Sequence, residues 1–331
     1  MDLRLGLYDV AATHQLGAHA TTQLEQHAGL GVPPSNLARR TALGIAVLAA
    51  ALVGLGLVFW VAAHWDTLGR TGRFALLQGV LLVMALGASA RPAARVPLSL
   101  LVLLTTGGLL AFFGQTYQTG ADAWQLFALW AALMLPLCLG QRSDVLWAPW
   151  ALVAMTAVSL WVQTHTGHGW RALPDDLAAH VAGWALGIVV VAVLSPPVRR
   201  TTGAGVWALR TVLILLVVMV SASALGGLFQ REVAGQYGLG LLIMAALAAA
   251  LTQRFSFDIF GLSAAALGLN TLLFAGLARW LFDRGGDADV VGRMLFLGLA
   301  AAAMLAATVS LILKVSRHQA SLTDAAPGAS A

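Results

Sequence analysis

The sequence predicts an all-α integral membrane protein, a polytopic bundle of about ten transmembrane helices. Only 10% of its 331 residues are charged and 59% are hydrophobic, whereas roughly a quarter of a typical soluble chain is charged. About ten apolar stretches approach or exceed the roughly 20 residues that a helix needs to cross about 30 Å of hydrocarbon. These stretches show no alternation of polar and apolar residues, so they predict helices and exclude the strands of a barrel.

The predicted spans are separated by linkers in which Pro, Gly and Arg cluster, as is typical of helix ends at lipid headgroups. The spans are 42–63, 74–90, 97–114, 124–140, 145–162, 177–195, 206–229, 236–252, 256–278 and 290–314. We therefore divide the chain into a short cytoplasmic helical region (1–40), a multi-pass helical domain (41–314) and a C-terminal tail that we expect to be disordered (315–331).

The positive charges predict an orientation. Ten spans place both termini on one side, and most of the 19 Lys and Arg residues fall on that side. Because cytoplasmic loops carry an excess of Lys and Arg, we predict that both termini are cytoplasmic. The net charge of +5 is not concentrated in a long basic run, so the sequence predicts the lipid bilayer as a partner and no nucleic acid.

Polar and aromatic residues gather at two places that this topology brings to one outer, periplasmic face. These places are the end of the first span and the link between the third and fourth spans. The candidate binding residues are Trp65, Asp66, Gln115, Tyr117, Asp122 and Trp124. Carboxylates accept hydrogen bonds from hydroxyl groups and indoles stack on sugar or cation faces, so the cluster could grip a polyol or a cation. The alternative is that the aromatic residues are interfacial anchors and the carboxylates are helix caps.

Two further polar residues lie inside predicted spans. His180 lies near the outer end of the sixth span, where it could join the outer cluster in one pocket, and Asn270 lies in the middle of the ninth span. Polar groups in lipid cost several kcal/mol unless they are partnered, so both residues are candidates for function. The alternative for Asn270 is an amide bridge between two helices.

Other features point to structural roles. Asp258 is expected to cap a helix at the cytoplasmic interface, and Arg210 is expected to extend its side chain to the headgroups. Gly183 and Gly187 have the GxxxG spacing that permits close approach of two helices. The single cysteine, Cys138, excludes an internal disulfide and a cysteine-rich metal site. We predict no metal and no cofactor.

Several motifs in residues 40–146 carry a resemblance to a known family. They are GLVFWVAAHWD at 56–66, GQTY at 114–117, Asp122, Trp124, and LFALWAALMLP at 126–136. This stretch resembles the bacterial membrane family called Domain of Unknown Function 2157. The six candidate residues of the outer face fall on its recurring positions, whereas His64 stands where the family usually has Asn. The family has no established activity, so the resemblance implies a bacterial multi-pass membrane protein and nothing about its ligand.

We interpret the chain as a non-catalytic protein of the bacterial inner membrane that binds an envelope ligand or another membrane protein through a polar site on its periplasmic face. Two alternatives remain. A small-solute transporter or channel would need water-accessible residues along the spans that carry His180 and Asn270. A membrane enzyme acting on a lipid-linked or periplasmic saccharide would use Asp66 or Asp122 as its base. The sequence lacks the Walker, HExxH and GxSxG motifs, so an enzyme is the less favoured reading.

Overall fold

The structure is a computed structural model that describes residues 3–28, 37–64, 69–117, 120–167, 172–283 and 290–324. Within these ranges the regular elements are thirteen α-helices and three short 3₁₀ turns. The helices are α1 (Leu3–Thr13), α2 (Ala18–His27), α3 (Leu37–Ala63), α4 (Arg70–Ala90), α5 (Arg95–Tyr117), α6 (Ala123–Gln141), α7 (Asp144–Thr166), α8 (Leu177–Leu194), α9 (Arg199–Thr202), α10 (Val206–Leu228), α11 (Gly235–Leu251), α12 (Ile259–Asp283) and α13 (Val290–Asp324).

The predicted fold class is confirmed. Among the described residues, eight helices are long and apolar enough to cross a membrane, and two apolar stretches, Thr41–Leu57 and Gly235–Leu251, are shorter. Each of the ten predicted spans falls on one of these helices. The chain is a multi-pass, all-α membrane protein.

Successive spanning helices are antiparallel, so the bundle has two ends. The Tyr117 end carries the C-termini of α3, α5, α7, α10 and α12, and there Arg70 of α4 meets the last turn of α5. The Asp144 end carries the N-termini of α5, α7, α10 and α12, and there Asp144 meets the start of α10.

The centre of the bundle lies where α7 packs against α10. Trp147 and Met155 of α7 and Leu213 and Leu216 of α10 are almost completely buried. Around this pair, α5, α6 and α8 pack against α7, while α8, α11 and α12 pack against α10. Helix α13 lies at the periphery against α12, and its apolar stretch is 0% buried within the described part of the protein. Lipid therefore covers most of α13.

Tryptophan indoles tie the core helices together. Each indole N–H donates a hydrogen bond to an oxygen on a different helix or connection. The pairs are Trp130 with the carbonyl of Leu103 (2.9 Å), Trp147 with that of Thr202 (2.9 Å), Trp150 with that of Ala131 (2.8 Å) and Trp184 with the hydroxyl of Ser223 (3.2 Å). These bonds satisfy the polar atom that a buried indole carries, so large apolar rings can fill the core.

Asp144, the first residue of α7, holds the start of α10 in place. Its carboxylate accepts the backbone N–H groups of Gly205 (2.9 Å), Trp207 (2.8 Å) and Ala208 (2.9 Å). The first N–H groups of a helix have no partner within the helix, and a carboxylate also complements the positive end of the helix dipole. One side chain thus joins two core helices that are distant in sequence.

Arg210, which the sequence predicts to extend to the headgroups, also binds a carboxylate within the protein. Its guanidinium forms an ion pair with Asp258 (3.1 Å), and the two side chains are 27% and 12% exposed. Asp258 also accepts the backbone N–H of Gly261 (2.8 Å) at the start of α12. The pair links the first turns of α10 and α12 at the Asp144 end.

The ends of the chain are helical where the structure describes them. The predicted N-terminal region contains α1 and α2. Helix α13 continues to Asp324, beyond residue 315 where the predicted tail begins, and residues 325–331 lie outside the described part. A helix of this length exceeds what one membrane crossing requires, so its last turns extend past the Asp144 end.

Candidate functional site

The first half of the predicted outer cluster lies only partly within the described residues. Trp65 and Asp66 fall outside them. Gln115 and Tyr117 lie exposed in the last turn of α5. Arg70 donates a hydrogen bond to the carbonyl of Thr116 (2.8 Å), and its guanidinium lies 4.9 Å from the centre of the Tyr117 ring. Tyr117 therefore faces α4 and makes a cation–π contact at the Tyr117 end.

The second half of the cluster faces a different neighbour. Asp122 immediately precedes α6, and its carboxylate accepts the indole N–H of Trp124 (3.3 Å). Its side chain makes no capping hydrogen bond to the first turn of α6. The Trp124 ring lies 6.3 Å from that of His165 on α7. Tyr117 is directed toward α4 and Trp124 toward α7, so the described members of the cluster form two exposed groups.

Asn270 is paired with a side chain of the neighbouring helix. Its amide nitrogen donates to the hydroxyl of Thr308 (3.0 Å), and that hydroxyl lies 3.2 Å from the amide oxygen. The pair joins α12 to α13 beside an apolar cavity of about 430 Å³. In this arrangement each polar group satisfies the other within the membrane.

His180 lines a separate cavity of about 340 Å³ between α7, α8 and α10. The upper part, toward the Tyr117 end, carries Gln163 and Thr166 beside His180. The lower part, near the middle of the helices, carries Met155 and Leu215. Among the described residues that line this cavity there is no Asp, Glu, Lys or Arg. The cavity is therefore a mostly apolar chamber with a polar top.

The imidazole of His180 is buried and has unmet hydrogen-bonding capacity. The residue is 8% exposed, and within the described part of the chain its Nε2 atom has no hydrogen-bond partner. Its ring lies 6.2 Å from that of Trp184, whose indole is already bonded to Ser223. Because buried polar atoms in folded proteins almost always have a partner, this Nε2 is an unusual, unsatisfied group among the described residues.

Two glycines of α8 explain how the cavity walls come so close together. A Cβ atom on Gly187 would lie 2.8 Å from Cδ1 of Leu216 on α10, and one on Gly183 would collide with Val162 on α7. Without side chains at these positions, α8 approaches both neighbours, as the GxxxG spacing predicts. The close approach holds His180, one turn earlier in α8, against the space between α7 and α10.

The cavity opens sideways between α7 and α10. Thr156, Val218 and Ala222 line its outer edge, and Val218 is 58% exposed. Thr156 and Val218 lie near the middle of their helices, about 15 Å from the Tyr117 end at 1.5 Å per residue. At that depth a spanning helix is surrounded by hydrocarbon, so the opening faces the lipid.

Sequence analysis named His180 but missed the polar residues that share its cavity. On α7 these residues are Thr156, Ser159, Gln163 and Thr166. Their spacings of three and four residues place them on one face of a helix. That stripe is the sequence signal that could have identified the wall of the cavity. It was missed because Ser and Thr side chains in a helix can bond to the backbone of that same helix, as the hydroxyl of Thr156 donates to the carbonyl of Leu152 (2.8 Å).

One comparison with known proteins found a family model that matches part of the chain. Residues 10–147 match the family model described as Predicted membrane protein (DUF2157). The match confirms the resemblance noted for residues 40–146 and adds α2 and the end of α1 to it. No curated protein and no solved structure matches the chain significantly. The residues that line the His180 cavity lie beyond the matched region.

Proposed function

We propose that the protein is a non-catalytic membrane protein that binds a neutral, membrane-soluble amphiphile in the His180 cavity. The observation that carries this proposal is the Nε2 of buried His180, which has no partner among the described residues and belongs to a cavity whose described lining carries no Asp, Glu, Lys or Arg. Small-molecule sites are typically mostly apolar pockets of about 300–1,000 Å³ with a few polar groups that fix the orientation of the ligand. The size and lining of this cavity fit that description.

The absence of charged residues among the described lining residues favours a ligand with a neutral head group. A charged head group would lose its hydration without gaining an ionic partner, which costs several kcal/mol. A hydroxyl or carbonyl head group needs only one hydrogen bond. Depending on its tautomer, the Nε2 atom of His180 can donate or accept that bond.

The position of the polar group predicts how the ligand lies. His180 is in the first turn of α8, close to the Tyr117 end, whereas Met155 and Leu215 lie deeper. A ligand with its head group at His180 therefore directs its apolar part toward the middle of the bilayer. Lipids in the same leaflet have this orientation, so such a ligand can enter from the membrane through the opening beside Val218.

We further propose that the Tyr117 end faces the periplasm, with the chain in the bacterial inner membrane and both termini in the cytoplasm. The excess of Lys and Arg on the opposite side supports this orientation. The amphiphile is then an envelope ligand taken from the outer leaflet. The exposed groups around Tyr117 and Trp124 lie at the same end and remain candidate contacts for a second membrane protein.

The test is a binding titration of the purified full-length protein in nanodiscs with two matched probes, farnesol and farnesyl phosphate. We expect farnesol to bind and farnesyl phosphate to bind much more weakly, because only the neutral head group matches the cavity. His180→Ala should weaken farnesol binding about tenfold, the usual effect of losing one buried hydrogen bond and its packing.

His165→Ala is the matched control, because His165 is an exposed histidine on α7 at the same end of the bundle. It should leave farnesol binding unchanged. Equal binding of both probes would contradict the neutral head group. An equal loss of affinity in the two histidine variants, or saturable binding that neither variant alters, would contradict the site.

A further inference from the structure

Three arginines at the Asp144 end form a second candidate site, independent of the His180 cavity. Arg142 follows α6, and Arg199 and Arg200 form the start of α9. The guanidinium of Arg142 donates a hydrogen bond to the backbone carbonyl of Arg200. This contact holds the turn between α6 and α7 against the connection between α8 and α10. We propose that the three arginines bind the phosphate group of an anionic phospholipid.

The charges of these arginines are not balanced within the described part of the protein. Asp144 follows Arg142 by two residues, and its carboxylate is already bonded to three backbone N–H groups at the start of α10. The ion pairs found among the described residues involve Arg210 and Arg279. The contact between Arg142 and the backbone of Arg200 brings the three positive charges into one region, where like charges repel one another and a bound anion offsets that repulsion.

Arg199 supplies the second observation. Its Nε–H is buried and, within the described residues, has no hydrogen-bond partner. A buried donor on a charged group is costly to leave unmet. Phosphate oxygens accept several N–H donors at once, and the planar guanidinium matches their geometry. A phosphate held between these arginines would satisfy Arg199 and offset the repulsion.

The location selects the source of the phosphate. The three arginines lie in two connections between membrane-spanning helices, at the level where lipid headgroups lie. Basic pockets between transmembrane helices bind anionic headgroups at this level. A lipid phosphate is held there by its acyl chains at high local concentration, whereas a free phosphate ion would compete with bulk water. The occupant we assign is therefore an anionic phospholipid such as phosphatidylglycerol.

The experiment is native mass spectrometry of the full-length protein, released from detergent and titrated with phosphatidylglycerol or phosphatidylcholine. We expect Arg199→Gln/Arg200→Gln to weaken phosphatidylglycerol binding about tenfold or more, because both guanidiniums are assigned direct contacts with the lipid phosphate. Phosphatidylcholine binding should not change. The matched control is Arg91→Gln/Arg254→Gln, which removes two exposed arginines from the same end.

The outcomes distinguish lipid binding at this cluster of three arginines from lipid binding to positive charge spread over the whole Asp144 end. An equal loss of phosphatidylglycerol binding in both double variants would overturn the proposal, as would no loss in either. Retention of phosphatidylglycerol in millimolar inorganic phosphate supports a lipid occupant, and its displacement overturns that assignment. If the double variant does not fold, Arg200→Gln alone removes an exposed guanidinium and should still weaken phosphatidylglycerol binding relative to Arg91→Gln.

Discussion

At the scale of single residues, we expect His180 to lower the stability of the protein and to raise its affinity for the proposed ligand. A buried imidazole nitrogen without a partner costs free energy in the empty protein. His180→Phe keeps an aromatic ring and removes that nitrogen. We therefore expect the variant to be as stable as the wild type or more so, while farnesol binds about fivefold to tenfold more weakly. Thermal unfolding in detergent and the nanodisc titration measure the two effects.

The combination of effects is what identifies a binding residue. If His180→Phe lowered the melting temperature and left farnesol affinity unchanged, the imidazole would have a structural role. Stability lost at binding sites for the sake of function is common in natural proteins, because such sites keep groups that only a ligand satisfies.

Asp144 should be one of the most costly polar residues to replace. Asp144→Ala leaves three backbone N–H groups at the start of α10 without their carboxylate. We expect a loss of about 3 kcal/mol in unfolding free energy, since hydrogen bonds to charged groups each contribute about 1.5–3 kcal/mol and water replaces some of them. Reversible unfolding in mixed micelles would measure it.

Asp122 provides the control for Asp144. Asp122 is the residue immediately before α6, and its side chain is exposed and makes no capping bond. Asp122→Ala should therefore cost less than about 0.5 kcal/mol, below the usual range for removing a helix cap. Equal losses in the two variants would show that the bonds to α10 do not determine the effect.

At the scale of elements, the close approach of α8 to its neighbours depends on its glycines. A methyl group on Gly183 collides with Val162, so Gly183→Ala should push α8 away from α7. We expect a loss of about 1–3 kcal/mol, the usual cost of overpacking a tight core. Farnesol affinity should fall as well, because His180 lies on the displaced helix. Thermal unfolding and the nanodisc titration would detect both changes.

Gly238 in α11 is the control that tests whether the collision with Val162 causes the loss of stability in Gly183→Ala. A Cβ atom there meets no atom within 4 Å, and the residue is exposed. Gly238→Ala should leave stability unchanged or raise it slightly, because alanine is the better helix former. A similar loss in both variants would contradict the close-approach argument.

The positions of the helices along the chain were easier to predict from the sequence than the contacts between them. Each span is a local run of apolar residues, so α3 to α8 and α10 to α13 could be placed from the sequence alone, whereas the short α9 could not. The sequence could not predict which helix faces contact each other, because lipid-facing and core-facing surfaces are equally apolar in a membrane. Trp147 and Trp184, for example, are almost completely buried, but their apolar sequence surroundings would be the same if they faced lipid. For the same reason the topology placed His180 and Asp122 at one end without showing that they have different neighbours.

At the scale of the whole molecule, the orientation in the membrane can be tested directly. Cys138 is buried, so Cys138→Ser gives a background without a labelled thiol. We expect a cysteine at the exposed position 122 to react with a membrane-impermeant maleimide in intact cells, because the Tyr117 end should face the periplasm. A cysteine at exposed position 254, at the opposite end, should react only after lysis. The reverse pattern would contradict the proposed orientation.

The sideways opening of the His180 cavity determines whether the proposed ligand exchanges with lipid or with water. The ligand concentration in that phase then sets the fraction of cavities that are occupied. Because Val218 and Thr156 face hydrocarbon, the ligand pool that exchanges with the cavity is dissolved in lipid and not in water. Occupancy should then follow the mole fraction of ligand in the bilayer. Adding empty vesicles would dilute that pool and release the ligand, even when the total amount of ligand in the sample stays constant.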